Sequence, residues 1–258
     1  MSNRQIKKSA KRLIRPLRTL LGKAVQTNWV ANMSLTEKAA LFIAADKIEG
    51  DYLEFGVFQG GSFSESYLTF QKVFKQRIRV TSYNTTSKDA SERQDIWDRM
   101  RFFAFDSFEG LPELRGIDKG TRDFAKGQYA SGIDEFMNSI TRDGVPSERV
   151  TCVPGWFEQT CVPATIQRYN IRKAAMIWID CDLYHSTKSV LNFITPLLQD
   201  GTVVIFDDWY SFRGNPRLGE QKAFSEWKKT VVGFTLSEYQ KEGAWRVAFL
   251  ASSTLEPP

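Results

Sequence analysis

The sequence predicts an open, doubly wound α/β sheet, mostly parallel and ended by an antiparallel hairpin. Three observations lead there. Strand-like and helix-like segments alternate from about residue 34 onward. Two strand segments, 174–180 (AAMIWID) and 202–206 (TVVIF), are continuous apolar runs of the kind buried on both faces of a parallel sheet. The chain then closes on two strand patterns joined by about four residues, the signature of a hairpin.

Taken in order, Ser34-Leu35-Thr36-Glu37 has capping-box spacing and opens a helix to about residue 48. Residues 51–57 read as a strand, followed by the loop Gly56-Val57-Phe58-Gln59-Gly60-Gly61 and a helix over about 62–75. Residues 76–100 are polar, with a short helix near 89–100, and read as an insertion rather than a second domain. A second strand spans 101–105. The stretch 107–132, rich in Gly, Asp and Lys, predicts a mobile loop over a site. Then follow a helix near 133–140, a strand at 149–153, a helix at 163–169, the strand 174–180, a helix near 186–198, the strand 202–206 and a helix around 218–230. The hairpin pairs 234–239 with 244–250 around 240–243. An all-parallel nucleotide-binding sheet would end on another helical crossover. Five βα units closed by a hairpin instead mark the class I methyltransferase sheet, a Rossmann-like arrangement. Residues 34–258 are thus expected to form a single domain behind a basic arm, residues 1–33.

Composition narrows the class further. With 42% hydrophobic and 25% charged residues the 258-residue chain has the balance of a globular protein, and disorder is excluded. No run of about 18 apolar residues occurs, so no membrane-spanning helix is expected. Cys152, Cys161 and Cys181 form neither a disulfide framework nor a paired metal-ligand spacing. Because the chain has 1 histidine, a metal site would have to be built mainly from carboxylates.

The formal charge of +5 is unevenly spread. Residues 1–23 hold Arg4, Lys7, Lys8, Lys11, Arg12, Arg15, Arg18 and Lys23 and no acid; without these eight, 27 basic face 30 acidic residues, a body of −3. The arm, with Ile6, Ala10, Leu13, Leu17, Leu20 and Ala24 at helical spacing and Pro16 interrupting, reads as a packing or oligomer arm or as a basic amphipathic membrane-surface helix. No recognition motif accompanies the charge, so nucleic acid is not an expected partner. Arg18, Gly22 and Lys23 break the apolar stretch 17–25 and no clear cleavage motif follows, so a signal peptide is not expected. The expected location is cytoplasmic, with peripheral membrane contact through residues 1–23 as one reading.

Ligands of such sheets sit beyond the carboxyl ends of the strands. After the first strand, Glu54-Phe55-Gly56 leads to Gly60-Gly61-Ser62 at a helix start. This is neither G-x-G-x-x-G nor a Gly-Lys-Ser/Thr phosphate loop, which disfavours a dinucleotide. An acid-x-Gly-x-x-x-Gly-Gly loop suits a zwitterionic amino acid, such as the methionine part of S-adenosylmethionine; the bland reading is an ordinary Gly-rich turn. Glu54 would act on the ammonium or through bonds that hold the loop. Asp106 and Ser107 end the second strand, where an acid can accept from ribose hydroxyls or simply cap a turn. Trp156, after the third strand, would pack on the adenine or cover the core.

The acids carry the strongest chemical signal. One strand ends in Asp180-Cys181-Asp182 and another in Asp207-Asp208. If the strands are neighbours, about 4.8 Å apart, the carboxylates converge and repel unless a cation offsets them. An all-oxygen donor set favours Mg²⁺, with Mn²⁺ or Ca²⁺ as alternatives. The plain alternative is that some of these acids cap helices or pair with Lys and Arg. His185, near the next helix start, is a candidate base, a substrate hydrogen-bond group or a plain surface residue.

Five blocks in series, YLEFGVFQGGSF (52–63), FAFDSFEGLPE (102–112), GWFEQT (155–160), DCDLYHSTKSVL (180–191) and GTVVIFDDW (201–209), resemble the macrocin O-methyltransferase family over roughly residues 34–250. The resemblance implies S-adenosylmethionine- and Mg²⁺-dependent methylation of a sugar hydroxyl. It implies that Glu54, Gly56, Gly60, Gly61 and Ser62 hold the methionine part, that Asp106 and Ser107 bind the ribose side, and that Asp180, Asp207 and Asp208 are metal ligands. The base it implies is Asp180 or Asp182. It also implies self-association. His185 stands where another polar residue would be expected, and the loop 113–132 is not diagnostic, so the acceptor is left open. The alternatives are a metal-dependent methyltransferase of catechols or other small diols, a docked binding module of the same fold with little catalysis, and a dinucleotide oxidoreductase.

Overall fold

The structure, a computed structural model, describes residues 32–79, 86–120 and 124–254. The basic arm, residues 1–23, lies outside the described residues. Seven strands form one sheet in the order β3-β2-β1-β4-β5-β7-β6. They are β1 (Asp51–Phe55), β2 (Phe102–Asp106), β3 (Val150–Pro154), β4 (Ala174–Ile179), β5 (Val203–Phe206), β6 (Phe234–Glu242) and β7 (Arg246–Ser253). The first five run parallel, and β7 joins antiparallel to both β5 and β6. This is the predicted class I methyltransferase architecture. Eight α-helices flank the sheet among the described residues: α1 (Leu35–Asp46), α2 (Gly61–Arg79), α3 (Ser87–Arg99), α4 (Ile133–Arg142), α5 (Phe157–Thr160), α6 (Pro163–Tyr169), α7 (Tyr184–Ile194) and α8 (Gly219–Trp227).

Strand periodicity of two sorts the core into two layers. Tyr52, Phe102, Met176, Trp178 and Ile205 point to one face, where Ile43 of α1, Phe63 and Phe70 of α2, Trp97 of α3 and Phe136 of α4 cover them. Leu53, Phe55, Phe105, Ile177 and Phe206 point to the other, against Leu191 and Phe193 of α7 and Phe224 and Trp227 of α8. Burying one such phenylalanine stabilises by about 2–3 kcal/mol. Both faces are covered, which is why 174–180 and 202–206 read as unbroken apolar runs.

Two details differ from the sequence reading. The segment read as an insertion supplies a core element: α3 begins on a capping box between Thr86 and Asp89 and buries Ile96 and Trp97 beside Tyr67 and Phe74. Its polar look comes from a narrow buried stripe on an otherwise wet helix. The loop 107–132 carries a 3-10 turn at Gly116–Gly120 whose Asp118 is buried. Among the described residues no helix is long and apolar enough to cross a membrane.

Sheet register positions the site. Phe55 pairs with Phe105 on one side and Ile179 on the other, and Ile179 pairs with Phe206. These four residues form one transverse row, so the next residues, Gly56, Asp106, Asp180 and Asp207, enter their loops at the same level. Strand order reverses between β1 and β4, the switch point that opens a crevice at that edge. At the opposite edge Arg101 grips Asp51 through two bonds of 2.6 and 3.0 Å and reaches the carbonyl of Tyr169, fastening β1 and β2 to α6.

Candidate active site

A cavity of about 330 Å³ lies over the switch point. Its wall includes Gly56 and Phe58 after β1, Asp106 and Ser107 after β2, Trp156 and Phe157 after β3, Asp180 and Asp182 after β4, and Asp207 and Asp208 after β5. Leu111 and Tyr129 of the long loop and Ser186 of α7 complete it. Glu54, Gly60, Gly61, Ser62 and His185 are not in this wall.

The β1 loop is held by its own side chains. Glu54 is fully buried on the α2 side of the sheet, where it accepts from Ser62 Oγ and from the Tyr52 hydroxyl. Of the two roles left open for Glu54, its bonds are those that hold the loop to the start of α2. Burial pushes its carboxyl up to about 8, against the downward pull of the Ser62 and Tyr52 bonds. Gly56 is required by close approach: a Cβ there would lie 1.9 Å from the Asp180 carbonyl oxygen. Gly60 turns at φ 84° and fits against Ile140 and Phe136 of α4, so its contribution is packing.

Asp106 lines the cavity, yet its carboxylate also serves both neighbouring loops. One oxygen accepts from Val57 N at 2.8 Å and Phe58 N at 3.3 Å, the other from Phe108 N at 2.8 Å. Ser107 Oγ donates to Gly110 O at 2.8 Å and accepts from Glu109 N. Trp156 is half-buried on the wall, beside Phe157, which packs edge-on to Phe55.

The acids meet because β4 and β5 are neighbours in register. Asp182 turns back at φ 56°, and its carboxyl lines the same cavity as Asp180, Asp207 and Asp208. Burial first, and the charges of Asp207, Asp208 and Asp182 second, drive the Asp180 carboxyl well above the ordinary range. Burial likewise raises Asp182, with Asp208 adding to it. Asp207 is raised by burial less what Arg246 returns through an ion pair. Arg246 bridges on to Glu242 at 3.3 Å. A fifth acid, Glu220 of α8, is 1% exposed; one oxygen accepts from Asp208 N at 3.1 Å and the other has no partner among the described residues.

The donor chemistry fits a hard divalent cation. Asp180, Asp182 and Asp208 converge with no Lys or Arg paired to them among the described residues, and their mutual repulsion is what such an ion removes. As the side chains stand, no group of three or more acidic, His or Cys residues among the described residues is arranged to hold a metal ion. Asp207 is the acid already committed, to Arg246.

His185 sits outside the cavity wall. Its Nδ1 lies 2.7 Å from Asp118, which also accepts from the backbone N–H of Tyr184 and His185. Asp118 therefore caps α7 and pins the long loop to it. Asp118, Glu220, Arg246, Phe58 and Tyr129 had no assigned role in the sequence reading. Arg246 was within reach: once β7 pairs antiparallel with β5, its first residue must fall beside the end of β5. The others carry no local signal, since their partners lie far off in the chain.

A family model described as Macrocin-O-methyltransferase matches residues 30–229. Similar proteins include the 8-demethyl-8-(2,3-dimethoxy-alpha-L-rhamnosyl)-tetracenomycin-C 4'-O-methyltransferase of Streptomyces olivaceus, 29% identical over 65% of this chain and 56% of that protein. The mycinamicin III 3''-O-methyltransferase of Micromonospora griseorubida is 28% identical over 64% of this chain and 57% of its own length. The chain thus spans little more than half the length of these relatives. Among solved structures, the O-methyltransferase NovP has TM-score 0.58 at 20% identity, covering 83% of this chain and 77% of its own. The calicheamicin methyltransferase CalS11 has TM-score 0.58 at 21% identity, covering 93% and 85%. These two likenesses concern the fold.

Proposed function

Because the chain belongs to the macrocin O-methyltransferase family, we propose that it transfers a methyl group from S-adenosylmethionine to a hydroxyl of a sugar or glycosylated metabolite, aided by Mg²⁺. The observation that carries this reading is the acid cluster facing a cavity at the switch point of the sheet. Its relatives are named for methylating a dimethoxyrhamnosyl tetracenomycin and mycinamicin III, which supports a glycosylated acceptor.

In this reading Gly56 gives the cofactor its close approach to the β1 edge, Asp106 and Ser107 present oxygens at the ribose side, and Trp156 offers a flat apolar face to the adenine. The fixed β1 loop, braced by Glu54 through Ser62, sets the direction of the methyl group. Asp180 and Asp208, with Asp207 once its carboxylate turns from Arg246, would hold the cation, which when bound would supply charge that acidifies a hydroxyl of the acceptor. Asp182, or Asp180, takes the hydroxyl proton on its carboxylate. The resulting oxygen attacks the methyl carbon, the carbon–sulfur bond breaks, and S-adenosylhomocysteine leaves. Placement of nucleophile and methyl group supplies much of the rate gain. His185 acts on the loop rather than on the reacting atoms.

The test uses purified full-length protein with labelled S-adenosylmethionine, a panel of glycosides and a panel of catechols, with and without EDTA. Glycoside methylation that EDTA abolishes and Mg²⁺ restores is expected. Turnover of catechols alone moves the reading to small diols; turnover indifferent to EDTA removes the metal. No turnover with intact cofactor binding leaves a binding module.

A further inference from the structure

Two aromatic residues on the cavity wall are placed against their own preferences. Phe58 and Tyr129 are 41% and 52% exposed, where rings of this size are normally covered. Both also have left-handed backbone, at φ 42° and 57°. For a bulky side chain that conformation costs about 1–2 kcal/mol and persists only where the surroundings impose it. Here they do. Asp106 accepts from the amides of Val57 and Phe58, and Gly60 N donates back to Val57 O at 2.7 Å. On the other loop, Leu111 N donates to Gln128 O at 2.8 Å and Gly127 N to Leu111 O at 2.9 Å, fixing the residue before Tyr129. The two rings, far apart in sequence, meet edge to face with centroids 5.8 Å apart. Ring burial does not account for the strain, because neither ring is buried.

Their position in the cavity is specific. Tyr129 lines the same cavity as Asp180, Asp182 and Asp208; burial first, and then the charges of those three acids, raise its phenol, which keeps it a hydrogen-bond donor. Trp156 and Phe157 line the cavity from the loop after β3. The substrate portion that must lie beside the acids is the one that loses a proton, the acceptor. A carbohydrate ring has an apolar face of C–H groups and a rim of hydroxyls. An exposed aromatic face with a phenol at its edge matches both with little loss of side-chain freedom.

We propose that Phe58 and Tyr129 form the acceptor subsite, a two-ring platform on which the carbohydrate ring to be methylated lies. This rests on the function proposed above and names the part of the site that selects its substrate. Strain, exposure and the edge-to-face contact are then one device: the loops hold open an apolar surface that only the acceptor covers.

The experiment measures acceptor KM, kcat, cofactor Kd by calorimetry and Tm for the full chain with a glycoside that the wild type methylates. Phe58→Leu and Tyr129→Leu are expected to raise acceptor KM about tenfold each, with cofactor Kd within about twofold. Tyr129→Phe, which keeps the ring, gives a smaller rise. Phe58→Gly and Tyr129→Gly relieve the left-handed backbone, so KM rises while Tm holds or increases. Should the leucine variants fold poorly, the glycine pair still decides. Unchanged KM in both variant sets overturns the inference while glycoside methylation by the wild type stands. A cofactor Kd that rises in step with KM overturns it in favour of a cofactor wall. A wild type that methylates catechols and no glycoside overturns the proposed function and the platform together.

Discussion

Replacing Glu54 by glutamine should make the protein more stable, by an amount that grows with pH. Glu54 is fully buried, and burial moves its carboxyl from 4.5 to about 8. A carboxyl raised on folding is held protonated. Its contribution is therefore complete below the unfolded value of 4.5 and is lost as the pH rises toward about 8. Each pKa unit is worth about 1.4 kcal/mol, so the wild type gives up roughly 3 kcal/mol between about pH 4.5 and pH 7. Glutamine cannot ionise and gives up nothing. It also keeps the local bonds: its carbonyl accepts from Ser62 Oγ, and its amide donates to the Tyr52 oxygen, whose hydroxyl then turns to Ser66 Oγ, 3.0 Å away. The assay is urea unfolding of wild type and Glu54→Gln across about pH 5 to 8. The two should coincide near pH 5 and separate steadily, reaching a midpoint difference on the order of 1 M at pH 7.5. Parallel curves over that range would refute the reasoning, because they would mean that Glu54 is ionised in the folded protein.

Four further outcomes follow from the same geometry. Arg246→Met strips Asp207 of its ion pair and should cost about 2 kcal/mol in urea unfolding; adding Asp207→Asn should recover most of it, and failure to recover would mean that Arg246 acts elsewhere. Asp118→Ala removes the acceptor for Tyr184 N, His185 N and His185 Nδ1, so Tm should fall by several degrees, about 1–2 kcal/mol, and limited proteolysis should cut the loop after residue 112 faster; His185→Ala should show a weaker form of the same effect and retain methyl transfer. Gly56→Ala forces a methyl group onto the Asp180 carbonyl, and circular dichroism should show either loss of fold or a large drop in Tm. Asp180→Asn removes the most crowded charge of the cluster; its Tm in EDTA should equal or exceed that of the wild type, and it should lack any Mg²⁺-induced rise that the wild type shows.

Cooperative placement explains why particular parts of the site could be read in the chain. Asp180, Asp182, Asp207 and Asp208 were legible as acids at or just beyond the ends of two apolar strands, while the adjacency that brings the two pairs together came from the pairing of β4 with β5. Gly56 was legible for its type, although the structure assigns it to the close approach of β1 and β4. Glu54, three residues after the strand begins, faces the core side of the sheet by strand alternation, so it braces the loop from behind. His185 looked chemical because it is the lone histidine and follows an acidic pair. Its position was decided by Asp118, whose approach depends on a loop with no periodicity. The α3 segment looked like an insertion because only Arg93, Ile96 and Trp97 are buried along it.

By itself the sequence determined what one-dimensional patterns can encode: the alternation of strands and helices, the terminal hairpin, the glycine-rich loop after the first strand and the acids that end two others. Each of these follows from periodicity, glycine sterics or adjacency in the chain. The tertiary structure alone decided which charges are paired, as with Arg246 on Asp207, and which are left to repel, as with Asp180. It also decided that Asp118 fastens the long loop and that Phe58 and Tyr129 meet in the open at the cavity wall. Those outcomes depend on distances between residues remote in sequence, and electrostatic and packing energies depend on distance, which no local pattern carries.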